Sequence, residues 1–305
     1  MRHLLRTADL DPTELRELLD LSAAFRANPD LRPRALAGRT LVLYFTKPST
    51  RTRLSTCAAV ARLGGQAVIV GPAELQLGRG ETIADTARVI SRFASALVVR
   101  TFADADVQEL AAHASIPIVN ALTDGHHPLQ SLADLMTLEQ HCGPVDTLRV
   151  AWIGDGNNVA HSLMEAVALA GGTLMVGVPE GYGPDPAVLA DARAIAARTG
   201  ATIEVVHDPV EAVEGAHAVV TDVWLSMGDP DDQKARRLRD LAPFQVNADL
   251  LAHAREDVRF LHCLPAHRGE EVTAEVIDGP RSVVFDQAEN RLHTVAAVLA
   301  TLTSR

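Results

Sequence analysis

Six short polar segments of this sequence carry residue types that do chemistry. Lys47-Pro48-Ser49-Thr50-Arg51-Thr52-Arg53 sets hydroxyls and guanidinium forks at a predicted strand-to-helix turn. Helix N-terminal N–H groups, hydroxyls and bidentate arginines together bind an anion such as phosphate. Arg100 ends the apolar run Ala96 to Val99; alone it is ordinary surface charge, and it gains meaning only beside the first segment. In His126-His127-Pro128-Leu129-Gln130, Pro128 suits a first helical position, so His127 lies just before a helix and shares a face with Gln130 and Asp134. His127 can donate to a carbonyl oxygen and Gln130 can read an amide, while His126 reads as a surface cap.

The fourth segment, Gly154-Asp155-Gly156-Asn157-Asn158, starts like a dinucleotide fingerprint. Val159 stands where its third glycine belongs, and Val176 and Gly177 stand near where its acidic residue belongs. That counts against a nicotinamide cofactor and leaves an asparagine pair offering neutral hydrogen bonds. In the fifth, Asp222 to Gly228, Asp222 can hold an ammonium group, Ser226 can add a hydrogen bond, and backbone N–H groups near Met227 can take a carboxylate; the bland alternative is a surface loop. In the sixth, His262-Cys263-Leu264-Pro265, Cys263 is a nucleophile, a small buried hydrophobe or a polar contact to a substrate amine. With no base partner beside it, the covalent reading ranks last. Cys57 and Cys142 fall in helix patterns and read as structural.

Each segment follows or ends a predicted strand. Asp11, Pro12 and Glu14 mark the first helix with a capping box, Leu10 and Leu15 suit a hydrophobic staple, and Leu15, Leu18 and Leu19 form its apolar stripe. Strands are predicted at 41–45, 67–70, 96–99 and 116–120, with helices up to Gly64, at 81–93, 107–114 and 129–141. The rhythm then repeats: strands at 148–153, 174–178, 202–206, 218–221, 259–264 and 282–285, helices at 159–170, 186–198 and 289–302. Such alternation implies α/β architecture in two lobes, each a mostly parallel sheet with helices on both faces. Gly143-Pro144 breaks the pattern and marks the seam. Ligands of open α/β sheets lie beyond the carboxyl ends of strands, where these segments are.

Composition narrows the partners. The 305 residues carry a formal net charge of −11, which disfavours nucleic acid, so any anion site must be a local cluster of basic residues. Three scattered cysteines make no disulfide framework or zinc motif. No signal peptide or membrane span is evident, so the chain reads as soluble and cytoplasmic, without a membrane partner.

Taken together, the segments resemble the carbamoyltransferases that act on ornithine. The resemblance runs through Ser-Thr-Arg-Thr-Arg (49–53), Asp85-Thr86-Ala87-Arg88, His127-Pro128-Leu129-Gln130, Gly156-Asn157-Asn158, Asp222 with Ser226-Met227-Gly228, His262-Cys263-Leu264-Pro265 and Glu289-Asn290-Arg291. It implies a carbamoyl phosphate lobe at 1–142, completed by a C-terminal helix at 288–305 that returns to it, and an ornithine lobe at 143–287. The phosphate would meet Ser49, Thr50, Arg51, Thr52 and Arg100, with Gln76 reaching in from a neighbouring subunit of a homotrimer or a multiple of trimers. The carbonyl oxygen would face Thr52, Arg100 and His127; the carbamoyl nitrogen would meet Gln130 and the Leu264 carbonyl near Arg291. Ornithine would engage Asn158, Asp222, Ser226, the Met227 backbone and Cys263.

The resemblance implies direct attack of the δ-amine on the carbamoyl carbon, with no covalent Cys263 intermediate, no metal and no cofactor. It departs at Cys57, where most family members carry a glutamate partner for the loop arginines. Competing readings are a carbamoyltransferase for putrescine, N-acetylornithine or aspartate, a nicotinamide dehydrogenase, and a non-catalytic binder of carbamoyl phosphate.

Overall fold

Asp11 begins the first helix as predicted: its carboxylate accepts the Glu14 N–H at 2.8 Å and Glu14 accepts the Asp11 N–H at 3.2 Å. Leu15, Leu18 and Leu19 of this helix, α1 (Pro12–Ala27), are buried. The structure, a computed structural model, describes residues 2–225 and 231–304. Its contacts divide into two compact units, Met1–Met136 with Glu289–Arg305, and Thr137–Ala288.

In the first unit four parallel strands, β1 (Thr40–Phe45), β2 (Gln66–Val70), β3 (Ala96–Arg100) and β4 (Ile118–Leu122), lie in the order β2-β1-β3-β4. The central strands are near-continuous apolar runs, as a sheet covered on both faces requires. Leu41, Leu43, Leu97, Val98, Val99 and Ile118 are all at most 1% exposed. Each contributes roughly 1.5–3 kcal/mol by leaving water. The crossovers are α2 (Arg51–Arg62), α3 (Ile83–Ile90) and α4 (Asp104–His113), followed by α5 (Pro128–His141). The order reverses between β1 and β3, so the crevice of this sheet opens beyond Phe45 and Arg100.

The second unit holds β5 (Arg149–Ile153), β6 (Thr173–Gly177), β7 (Thr202–Val206), β8 (Ala218–Thr221) and β9 (Arg259–His262), all parallel, in the order β7-β6-β5-β8-β9. Its helices are α6 (Asn158–Ala170), α7 (Pro186–Thr199), α8 (Pro209–Val213), α9 (Asp231–Leu241), α10 (Ala248–Leu251) and α11 (Ala274–Ile277). Here the order reverses between β5 and β8, and the crevice opens beyond Ile153 and Thr221.

Three expectations are corrected. Residues 282–285 are not a strand: Ser282 makes one bridge to Phe260, and α12 (Val284–Leu302) then begins. Val283 and Val284 are both buried, which a one-sided alternating strand does not allow but a bridge followed by a helix does. The helix predicted at 81–93 is shorter, because Thr82 caps it by accepting the Asp85 N–H. β9 stops at His262, before Cys263 and Leu264.

Candidate active site

In the first unit the loop after β1 is tied to the end of β3: the Thr46 N–H and hydroxyl donate to the Arg100 carbonyl at 2.9 and 3.2 Å. Lys47 pairs with Asp124 at 2.7 Å and lies 3.9 Å from the centroid of the Phe102 ring. Arg51 then opens α2, whose N-cap Thr50 makes no side-chain cap bond, so the helix presents its first-turn N–H groups at the loop that carries Ser49.

Three predicted residues converge although they are far apart in the chain. Arg291, on α12, donates to Gln130 Oε1 at 2.6 Å and to the Thr52 hydroxyl at 3.0 Å. Gln130 donates in turn to Asp134 Oδ1 at 2.8 Å. Thr52, Gln130 and Arg291 are each 2% exposed and Asp134 is fully buried, so the arrangement is fixed. Burial pushes the His127 imidazole well below its usual pKa, and the positive charges of Arg291, Arg100 and Arg51 push it further. His127 is therefore neutral at pH 7 and carries one ring N–H. Its depressed basicity reports burial first and the positive charge of the three arginines second. His126 is no surface cap: it is buried, and its Nδ1 lies 2.9 Å from Asp104 Oδ1. Burial would raise the Asp104 pKa, but hydrogen bonds from His126, Thr123 and the Gly125 N–H outweigh it and hold the carboxyl below its usual value. Gln76 sits exposed on a short turn of its own, Gln76–Arg79. Cys57 lies one helical turn after the exposed Arg53; burial raises its thiol and Arg53 opposes the shift.

In the second unit the Gly154–Asn157 turn is shaped by close packing. A Cβ on Gly156 would lie 2.3 Å from the Pro184 nitrogen, so only glycine fits. This explains the glycine without a dinucleotide. Asn157 caps α6, its Oδ1 accepting the Val159 and Ala160 N–H groups at 3.0 and 3.1 Å. Its Nδ2 donates to Asp222 Oδ2 at 2.9 Å, and the Cys263 thiol donates to Asp222 Oδ1 at 2.9 Å. Asp222, at the end of β8, is thus fixed on both oxygens and 8% exposed. Asn158 is the half-buried first residue of α6. Ser226 and Met227 lie outside the described residues.

Leu264 takes φ +57°, a left-handed conformation that costs a non-glycine residue about 1–2 kcal/mol. Asp222, His262 and Cys263 bring one donor atom each within 4.8 Å, as do His267, Glu270 and Glu271. A cation in the first group would compete for His262, whose Nδ1 accepts the Leu264 N–H and whose Nε2 faces Glu271. Sequence reasoning gave no separate role to Asn157, which N-cap preference at the start of α6 points to, nor to Asp134, Glu271 or Gln287. A buried acid such as Glu271 has no distinctive spacing in a sequence.

Residues 2–140 match the family described as aspartate/ornithine carbamoyltransferase, carbamoyl-P binding domain, and residues 146–302 match its Asp/Orn binding domain. An ornithine carbamoyltransferase of Pyrococcus horikoshii is 50% identical over 303 residues, which is 99% of this chain and 95% of that protein. The solved structure of the Pyrococcus furiosus ornithine carbamoyltransferase superposes with a TM-score of 0.94 at 49% identity, over 98% of this chain and 96% of that one. The Gloeobacter violaceus enzyme superposes with a TM-score of 0.90 at 45% identity, over 99% of each chain.

Proposed function

The chain belongs to the aspartate/ornithine carbamoyltransferase family, and from that premise we propose that it transfers the carbamoyl group of carbamoyl phosphate to the δ-amine of L-ornithine, giving L-citrulline and phosphate. The observation that carries the reading is a pair of crevices of opposite character. One holds Arg51, Arg100 and Arg291 about a neutral His127; the other holds a fixed carboxylate, Asp222, beside a thiol. The first suits a phosphorylated, electrophilic substrate and the second an amino acid's ammonium.

The first unit would take carbamoyl phosphate. Ser49, Thr50, Arg51 and Thr52, with the helix N-terminus and Arg100, hold the phosphate. Arg100, Thr52 and the neutral His127 donate to the carbonyl oxygen as it gains charge. Gln130 Oε1 is oriented by Arg291 and keeps a second lone pair for a carbamoyl N–H; the Leu264 carbonyl is the other acceptor. In the second unit Asp222 and Ser226 take the α-ammonium, Asn158 and the Met227 backbone take the carboxylate, and Cys263 with Asp222 steers the δ-amine.

An alkylamine has a pKa near ~10.4, so roughly 0.04% is neutral at pH 7, and the site must select that form. The lone pair attacks the carbamoyl carbon, the bond from carbon to the phosphate oxygen breaks, and the leaving phosphate takes the amine proton. Cys263 forms no covalent bond. A trimer, or a multiple of trimers, would bring Gln76 of one copy to the phosphate of the next; the exposure of Gln76 on its own turn supports this.

The test is product formation from carbamoyl phosphate with L-ornithine, putrescine, N-acetylornithine and aspartate in parallel. Citrulline from ornithine alone is expected. Product from another acceptor would overturn the roles given to Asp222 to Gly228, and no product from any acceptor would sink the reading.

A further inference from the structure

We infer that His262, Glu271 and Gln287 are positioning residues, a buried polar lock that holds the strained strand end at Cys263 and Leu264 in working geometry. The inference rests on the roles proposed above for the Leu264 carbonyl and Cys263.

Leu264 sits at φ +57° immediately after β9, and a bulky L-residue keeps that conformation only when its surroundings impose it. The imposing contacts bracket it. The His262 N–H donates to Gln287 Oε1 at 2.8 Å, anchoring the last strand residue to the first turn of α12. The Leu264 N–H donates to His262 Nδ1 at 2.8 Å. A nitrogen that accepts a backbone N–H carries no proton, so the ring proton sits on Nε2. Nε2 faces Glu271 Oε1 at 3.1 Å. The same oxygen accepts the His267 N–H at 2.6 Å, which ties down the far end of the loop. One carboxylate oxygen therefore closes residues 262–267 into a ring. Glu271 is itself placed through its backbone, since its carbonyl accepts the Val246 N–H at 2.9 Å.

Burial gives these contacts their meaning. His262 and Glu271 are fully buried and Gln287 is 1% exposed. A polar network so deep in a unit is a poor route to stability, since apolar side chains of equal volume do as well or better. What it provides here is one conformation for the peptides between its two anchors. Those peptides carry the Cys263 thiol that donates to Asp222 and the Leu264 carbonyl. Without an acceptor for its N–H, Leu264 relaxes to negative φ and both groups swing away.

Two pairs of substitutions separate positioning from mere folding. In His262→Asn the amide oxygen replaces Nδ1 and keeps the Leu264 bond. In His262→Gln the amide nitrogen replaces Nε2 and keeps only the Glu271 bond. Glu271→Gln keeps an oxygen for both donors, and Glu271→Ala keeps none. Each variant is assayed for citrulline formation at equal folded fraction by circular dichroism, with its Tm measured. We expect His262→Asn to exceed His262→Gln about tenfold or more in kcat at similar Tm. Glu271→Gln should stay within about threefold of the parent and Glu271→Ala should lose about 10²-fold, the usual cost of displacing reacting groups by about 1 Å. KM for carbamoyl phosphate, whose phosphate is held in the first unit, should move little. Equal activity of the two His262 variants, an advantage for His262→Gln, or losses that track Tm would overturn the lock. If the parent itself makes no citrulline, the proposed activity fails instead.

Discussion

Around His127 the first unit gathers guanidinium charge, whereas around Asp222 the second gathers neutral donors onto a carboxylate. The depressed pKa of His127 is the measure of the first: burial and three arginines make a further proton costly there. The measure of the second is geometric, with both Asp222 oxygens occupied by the Asn157 amide and the Cys263 thiol. Yet the two crevices arise in the same way, where strand order reverses between β1 and β3 and between β5 and β8. A doubly wound sheet fixes where a ligand goes; the few side chains at the strand ends fix its sign and chemistry. The same contrast runs through the titratable groups. His3, His127 and His293, each with a lowered pKa, all belong to the first unit.

Removing charge from the first unit should have the largest effect. Arg51→Ala takes away a phosphate fork at the start of α2, and kcat/KM should fall about 10³-fold or more with the fold intact. Steady-state kinetics alongside circular dichroism check this, and a loss below about tenfold would break the assignment of anion binding to that unit. Asp222→Asn is isosteric and removes the charge of the second site together with one of the two acceptor oxygens that Asn157 and Cys263 occupy. It should cost about 10²-fold in kcat/KM for L-ornithine and leave KM for carbamoyl phosphate within about threefold. Equal losses for both substrates would erase the division of labour drawn here.

Much of the frame was legible because local rules and burial agree. The Asp11 capping box, the apolar runs of β1, β3, β5 and β8, and the hydroxyl-arginine start of α2 are signals carried by adjacent residues. Illegible were features made by distant ones. Arg291 meets Gln130 and Thr52 across 161 and 239 residues, so the resemblance could place it in the site but no periodicity could orient it. His126 looked like a surface cap because its partner Asp104 lies 22 residues earlier. Residues 282–285 looked like a strand because buried consecutive valines are ambiguous between a strand and a helix start. Glu271 carries no signal in the sequence, because an acid is buried only when paired and its partner is a histidine on another element.

The smallest expected effect concerns stability against acid, and it too separates the units. A histidine held neutral in the fold takes a proton more readily when unfolded. Below the unfolded value of about 6.5 the unfolded state then binds more protons, and the fold loses stability as pH falls. For His127 that loss starts near pH 6.5, at up to about 1.4 kcal/mol per pH unit for one fully differential proton; His3 and His293 add in the same direction, weakened by solvent screening. The Asp104 shift has the same sign, but its contribution is present above about pH 3.8 and fades only below that, so it does not enter the same window. The sequence has two tryptophans, Trp152 and Trp224, and both lie in the second unit, so their fluorescence follows that unit while far-ultraviolet circular dichroism follows the whole chain. Urea unfolding at pH 7.0 and 5.5 should show the dichroism midpoint falling further than the fluorescence midpoint, and His127→Gln should flatten the slope. Identical shifts by both probes, unchanged in His127→Gln, would mean that the acid-sensitive charge is not confined to the first unit, and the electrostatic contrast would have to rest on Asp222 alone.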